Sequence, residues 1–194
     1  MADRVSPLAS VADPGTFGAP VDQPGVVLSE RLPVSLVQVA AWPDTLARVK
    51  VELAALAGEK FADRDVANLG NDVVIMPIGP GRWLVEAEQT NLEANLRGRI
   101  TADLGSVTGL THGRVVINVR GDKAARVLAT GLDLDFHPSA FPVGAVRVTR
   151  HHDIGVTIWR PDETQFNLYV FTSFALGFWH WLTQAAAEVG YCVD

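Results

Sequence analysis

Three strand-length runs stand almost head to tail near the end of the chain: "AVRVTRH", "GVTIWR" and "QFNLYV", before a final helix from about Thr172 to Val189. The gaps between them are short, so the segment reads as consecutive strands and not as strands separated by crossover helices. A helical pattern also precedes them: Gly121 and Asp122 open "DKAARVLATG", Ala124, Val127 and Leu128 face inward, and Gly131 ends it. The strand "GRVVINVR" comes before that helix.

The first half shows a related order. "VSLVQVAAW" reads as a largely buried strand, and Pro43 and Asp44 start a helix striped by Leu46, Val49, Leu53 and Leu56 and ended by Gly58. "NDVVIMPIGPGRWLVEA" follows as a hairpin turning at Pro77, Gly79, Pro80 and Gly81. "TNLEANLRGRI" is then an amphipathic helix on Leu92 and Leu96, with Thr90 or Asn91 available as its cap. The expected class is α+β, with two related βαββα-type lobes, about 26–105 and 106–194, sharing an antiparallel sheet. Residues 1–25 carry four prolines and three glycines, a composition that favours an extended or disordered arm. The domain proper is expected at 26–194.

The chain has 194 residues, 48% of them hydrophobic, and a formal charge of −6. That length can bury a real core, and the acidic balance gives no footprint for a phosphate backbone, so nucleic acid is not an expected partner. Cys192 is the one cysteine, which excludes an intrachain disulfide and a cysteine-rich metal site and fits a reducing cytoplasm. No apolar run is long enough for a membrane span, and the N-terminus lacks a signal-peptide pattern.

Chemistry-bearing motifs are few. "GPGRWL" at Gly79 is a poor phosphate loop, because Pro80 removes an N–H and the segment joins two strands. His151 and His152 are adjacent, so on a strand they point to opposite faces, and "HHDIG" reads as a hairpin turn. Asp133, Asp135 and His137 alternate, which on an extended segment would set all three on one side as a metal site requires. The alternative places Asp133 and Asp135 at the helix exit with Leu134 and Phe136 pointing inward and "HPSAFP" as a turn. This second reading is favoured, since no further cluster completes a metal shell. On the last helix an inward stripe of Phe174, Phe178, Trp181, Leu182 and Ala185 would leave Leu176 and Trp179 outside. Cover by a loop or the arm would explain them. So would a subunit contact, with His180 beside it.

"GLDLDFHPSAFPVGAV", followed by "GVTIWRPDETQFNLYVFTSFALGFWHWL", resembles the C-terminal half of the gamma subunit family of heterotetrameric sarcosine oxidases. The matching positions include Leu132, Asp133, Leu134, His137, Pro138, Phe141, Pro142, Gly144, Ser173, Phe174, Ala175, Trp179 and Leu182. "THGRVVINVRGDKAARVLATG", "GPGRWLV" and "SPL" at Ser6 extend it, and Gly109 departs from an aspartate common at that position. The resemblance implies a non-catalytic gamma subunit that supports assembly with alpha, beta and delta subunits. Such complexes oxidatively demethylate sarcosine to glycine with FAD, FMN and NAD, and pass the one-carbon unit to tetrahydrofolate, all bound in partner subunits. It also implies a fold similar to the folate-binding lobes of aminomethyltransferase-like proteins. Two alternatives stand beside it. One is the small subunit of a related N-methyl amino acid dehydrogenase; the other is a free-standing folate-binding protein, in which Arg114 or Arg82 would hold the glutamate tail.

Overall fold

The computed structural model describes residues 5–58 and 65–194; the first four residues of the expected arm lie outside them. Twelve strands and four α-helices follow in the described chain: β1 (Gly15–Phe17), β2 (Val26–Arg31), β3 (Ser35–Ala41), α1 (Leu46–Ala57), β4 (Asn68–Gly70), β5 (Val73–Gly79), β6 (Arg82–Ala87), α2 (Leu92–Arg99), β7 (Gly105–Gly109), β8 (Arg114–Arg120), α3 (Ala124–Ala129), β9 (Val146–His151), β10 (Ile154–Asp162), β11 (Gln165–Phe171), α4 (Ala175–Ala187) and β12 (Tyr191–Val193). They form two compact units, Pro33–Gly113 and the pair of segments Met1–Leu32 and Arg114–Asp194.

The Pro33–Gly113 unit holds a five-stranded sheet in the order β4-β5-β6-β3-β7, antiparallel throughout. Val49, Leu53 and Leu56 of α1 and Leu92 and Leu96 of α2 are buried in one cluster with Val37, Ile75, Trp83 and Val85. The stripe read from sequence is thus the buried face of α1, and Gly58 ends the helix at φ 73° with its N–H on the Ala54 carbonyl.

The other unit holds a seven-stranded sheet, β1-β12-β2-β8-β11-β10-β9. Its pairs are antiparallel except β12 with β2. Leu28, Val115, Ile117, Val119, Val156, Ile158, Phe166, Leu168 and Val170 alternate onto one face and pack with α3 and α4. Both units run strand, helix, three strands, helix, with those four strands side by side in the same relative order. The α+β class holds, and each unit has a sheet of its own. β2, grouped by sequence with the first lobe, pairs with β8 and β12 instead, because Val26 and Leu28 complete the apolar face of the larger sheet.

The described part of the arm lies on this second unit. Leu8 is fully buried in its core, held by a turn in which the Ser6 hydroxyl accepts the Leu8 N–H at 3.0 Å and donates to Glu30. β1 pairs with β12, and Gly18, at φ 86°, passes so close to α4 that a Cβ there would lie 2.6 Å from the Ala187 carbonyl oxygen. The arm also corrects the phase expected for α4. The buried positions are Ala175, Phe178, Trp179, Leu182 and Ala186, while Phe174 precedes the helix in a 3-10 turn and is exposed. Trp179 is therefore not on the outer face: it is 3% exposed and its indole N–H donates to the Val11 carbonyl at 3.3 Å. An arm residue provides cover that helix periodicity alone could not reveal.

Leu8→Ala removes a fully buried side chain that the arm contributes to the core, and is expected to destabilise the protein by about 2–5 kcal/mol in urea unfolding. A change below about 0.5 kcal/mol would mean that the arm does not belong to the cooperative unit.

Candidate functional site

The segment from Gly131 to Ala145 holds Asp133, Asp135, His137 and two prolines, and its geometry begins with two turns. Leu132 and Phe136 are buried, whereas Asp133, Asp135 and His137 are exposed. An Asp135 carboxylate oxygen accepts the His137 N–H at 2.8 Å, and His137 Nδ1 lies 2.8 Å from the Ser139 hydroxyl. The His137 carbonyl accepts the N–H groups of Ala140 and Phe141, both at 2.9 Å, closing a turn over Pro138. Asp135 and His137 are thereby engaged locally, and no group of three His, Cys, Asp or Glu among the described residues is arranged to hold a metal.

What fixes this segment comes from the neighbouring strands. Alternate residues of β9 point to one face, and three of them reach its backbone carbonyls. Arg147 donates to Ala140 at 2.9 Å, the Thr149 hydroxyl to Asp133 at 3.4 Å, and His151 Nδ1 to Gly131 at 2.9 Å. From β10, the buried Arg160 donates to the carbonyls of Phe141 at 2.5 Å, Glu163 at 2.5 Å and Asp162 at 3.3 Å. Its backbone binds the same segment: Gly144 N–H donates to the Arg160 carbonyl at 2.7 Å, and Arg160 N–H to Ala145 at 3.0 Å. Gly144 sits at φ 85°, where a side chain would be strained. Beneath, Phe136, Phe141 and Phe166 form a three-ring cluster with centroids 5.6–5.8 Å apart.

The second candidate is the outer face of α4. Leu176 is 51% exposed and His180 is exposed, with Gln184 Nε2 lying 3.0 Å from His180 Nε2. Trp179 lies at the back of a small cavity of about 250 Å³ whose rim includes Val11, Phe17, Leu176 and His180. Val11, Phe17 and Phe174 are themselves 41–45% exposed, so the apolar surface extends beyond the two residues that sequence singled out. Their contribution was hidden because Val11 and Phe17 join α4 only through the fold.

The remaining arginines separate. Arg114 begins β8 with its guanidinium carbon 3.4 Å from the Phe171 ring centroid, and burial pushes its pKa down to about 10. Arg82 is an exposed residue at the start of β6. Sequence reading missed Arg160, Arg147 and Thr149; for the latter two the available signal was their period-two spacing with His151.

A sequence model described as sarcosine oxidase, gamma subunit family, matches residues 66–188. The sarcosine oxidase subunit gamma of Corynebacterium sp. (strain U-96) is 27% identical over 186 residues, 95% of this chain and 91% of that protein. The subunit gamma of Arthrobacter sp gives the same identity and coverage. Among solved structures, a chain of the heterotetrameric sarcosine oxidase from Corynebacterium sp. U-96, in complex with pyrrole 2-carboxylate, superposes with a TM-score of 0.82 at 27% identity, covering 96% of both chains. The glycine cleavage system aminomethyltransferase T of Bartonella henselae shares the fold, with a TM-score of 0.62 at 16% identity over 94% of this chain and 60% of that one.

Arg160→Met keeps the apolar stem and leaves the Phe141 and Glu163 carbonyls without their donor, so it is expected to cost roughly 3 kcal/mol in urea unfolding. A loss under about 1 kcal/mol would show that the guanidinium is dispensable for holding the segment. With more than half of its length matched by the family's sequence pattern, the chain belongs to the sarcosine oxidase gamma subunit family.

Proposed function

We propose that this chain is the non-catalytic gamma subunit of a heterotetrameric sarcosine oxidase, which oxidatively demethylates sarcosine to glycine, and that it serves the assembly of that complex. The observation that carries the reading is the match over 96% of both chains to a chain of such a complex. The local geometry supports a structural role for the segment that carries the signature: Asp135, His137 and Ser139 bond within their own turn, and Arg147, Thr149, His151 and Arg160 of the neighbouring strands bond to backbone carbonyls. Alpha, beta and delta subunits are the proposed partners, in the cytoplasm, and FAD, FMN, NAD and tetrahydrofolate belong to them.

The outer face of α4 is the proposed subunit contact. Leu176 and His180 form its centre, with Phe17, Val11 and Phe174 widening it. Trp179 supports that face from beneath by packing with the arm.

A tagged chain recovered from its native host is expected to bring down a yellow, flavin-bearing assembly that oxidises sarcosine. The same assembly acting only on another N-methyl amino acid would move the substrate to that of the related dehydrogenase. A colourless lone chain that binds tetrahydrofolate would overturn the subunit role. Within the assembly, Leu176→Asp is expected to reduce recovery of the partner subunits at least about tenfold while the chain's circular dichroism stays unchanged. Full recovery would remove α4 from the interface.

A further inference from the structure

Two features that sequence analysis singled out, Asp133 and the His151-His152-Asp153 turn, lie far apart in sequence and meet at one cleft. It is an open cavity of about 630 Å³ between the exit of α3 and the β9–β10 hairpin, with Arg150 and Trp181 completing its lining. We propose that this cleft binds a free amino acid through its ammonium and carboxylate groups together.

The floor is built. Trp181 stacks on His151 with ring centroids 4.2 Å apart and planes inclined by 24°. His152, at φ 48° in the hairpin turn, stands edge-on to His151 at 4.4 Å. Because the Gly131 carbonyl can only accept, His151 Nδ1 donates to it at 2.9 Å, which fixes the ring's orientation. Gly131 makes room for the indole: a Cβ there would lie 2.6 Å from Trp181 Nε1, Cε2 and Cζ2.

The charges on the walls select the ligand. Asp133 stands at the α3 exit, and Arg150 and Asp153 stand on the hairpin; among the described residues their side chains form no hydrogen bond or ion pair. Two carboxylates disfavour a simple anion, and the guanidinium disfavours a simple cation. A molecule carrying both signs satisfies both: its ammonium meets Asp133 or Asp153, and its carboxylate meets the fork of Arg150. Trp181 and Leu132 add apolar lining for the aliphatic part, and the volume is that of a small-molecule site.

The test is calorimetric titration of the full-length chain with glycine, leucine and arginine, with acetate and methylamine as single-sign probes. At least one amino acid is expected to saturate with a Kd below about 10 mM, with both single-sign probes at least tenfold weaker. Arg150→Ala and Asp133→Asn are exposed changes that leave the thermal midpoint in place, and each is expected to weaken binding roughly tenfold. Gly131→Ala, by displacing the indole, should weaken it as well. No saturation by any of the three amino acids, equal binding of acetate or methylamine alone, or binding unchanged in Arg150→Ala and Asp133→Asn would each overturn the proposal.

Discussion

The Arg160 guanidinium is the interaction on which the signature segment depends. It is 5% exposed, and the partners that receive its protons are carbonyl oxygens of Phe141, Asp162 and Glu163. A buried cation is costly unless its donors are met, and a planar fork can meet three carbonyls at once where an ammonium cannot hold the same geometry. Once Arg160 is placed, the carbonyl direction at Phe141 is set, Gly144 must take its left-handed conformation to reach the Arg160 carbonyl, and Phe141 is delivered onto Phe136 and Phe166. Pro138 and Pro142 fit the same frame, since each restricts the backbone at a place where the chain turns. The motif is thus a device for laying an irregular segment over the edge of a sheet.

A comparable logic governs the two ends of the second unit. β12 lies between β1 and β2, so the last residues of the chain are paired on both sides by the first. Arg120 adds an ion pair to Asp194 at 2.6 Å, although both partners are half-exposed and its contribution is small. The arm then has two roles: it places Leu8 in the core, and it roofs Trp179. The outer face of α4 that remains is narrower on the helix and broader across the arm than helix phase alone implies.

Much of the fold was legible because its signals are local. The stripe of α1, the turn at Gly79–Gly81, the three closing strands and the helix ended by Gly131 each declare themselves within a short window. The missing parts are non-local. β12 is three residues long and is a strand only because β1 and β2 flank it, and β2 belongs to the larger sheet for reasons of pairing that its own sequence does not carry. The phase of α4 was misread because Trp179 looks like a surface residue until Val11 covers it. At the signature segment, the turn character of "HPSAFP" was readable; the carbonyl contacts of Arg147, Thr149 and Arg160 were not, since a backbone acceptor leaves no trace in composition.

The shared architecture with an aminomethyltransferase shows that one α+β frame accommodates proteins with different roles, so function has to be argued from sites. Here Asp135, His137 and Ser139 are bound within their own turn, which is the geometric support for the proposed assembling role. The most direct measurement is steady-state sarcosine turnover by the purified complex carrying Asp135→Asn and His137→Gln in this chain. The account predicts a kcat within about twofold of the unaltered complex. A fall of about a hundredfold or more, with the complex intact and its flavin content unchanged, would place these residues in the chemistry and contradict it.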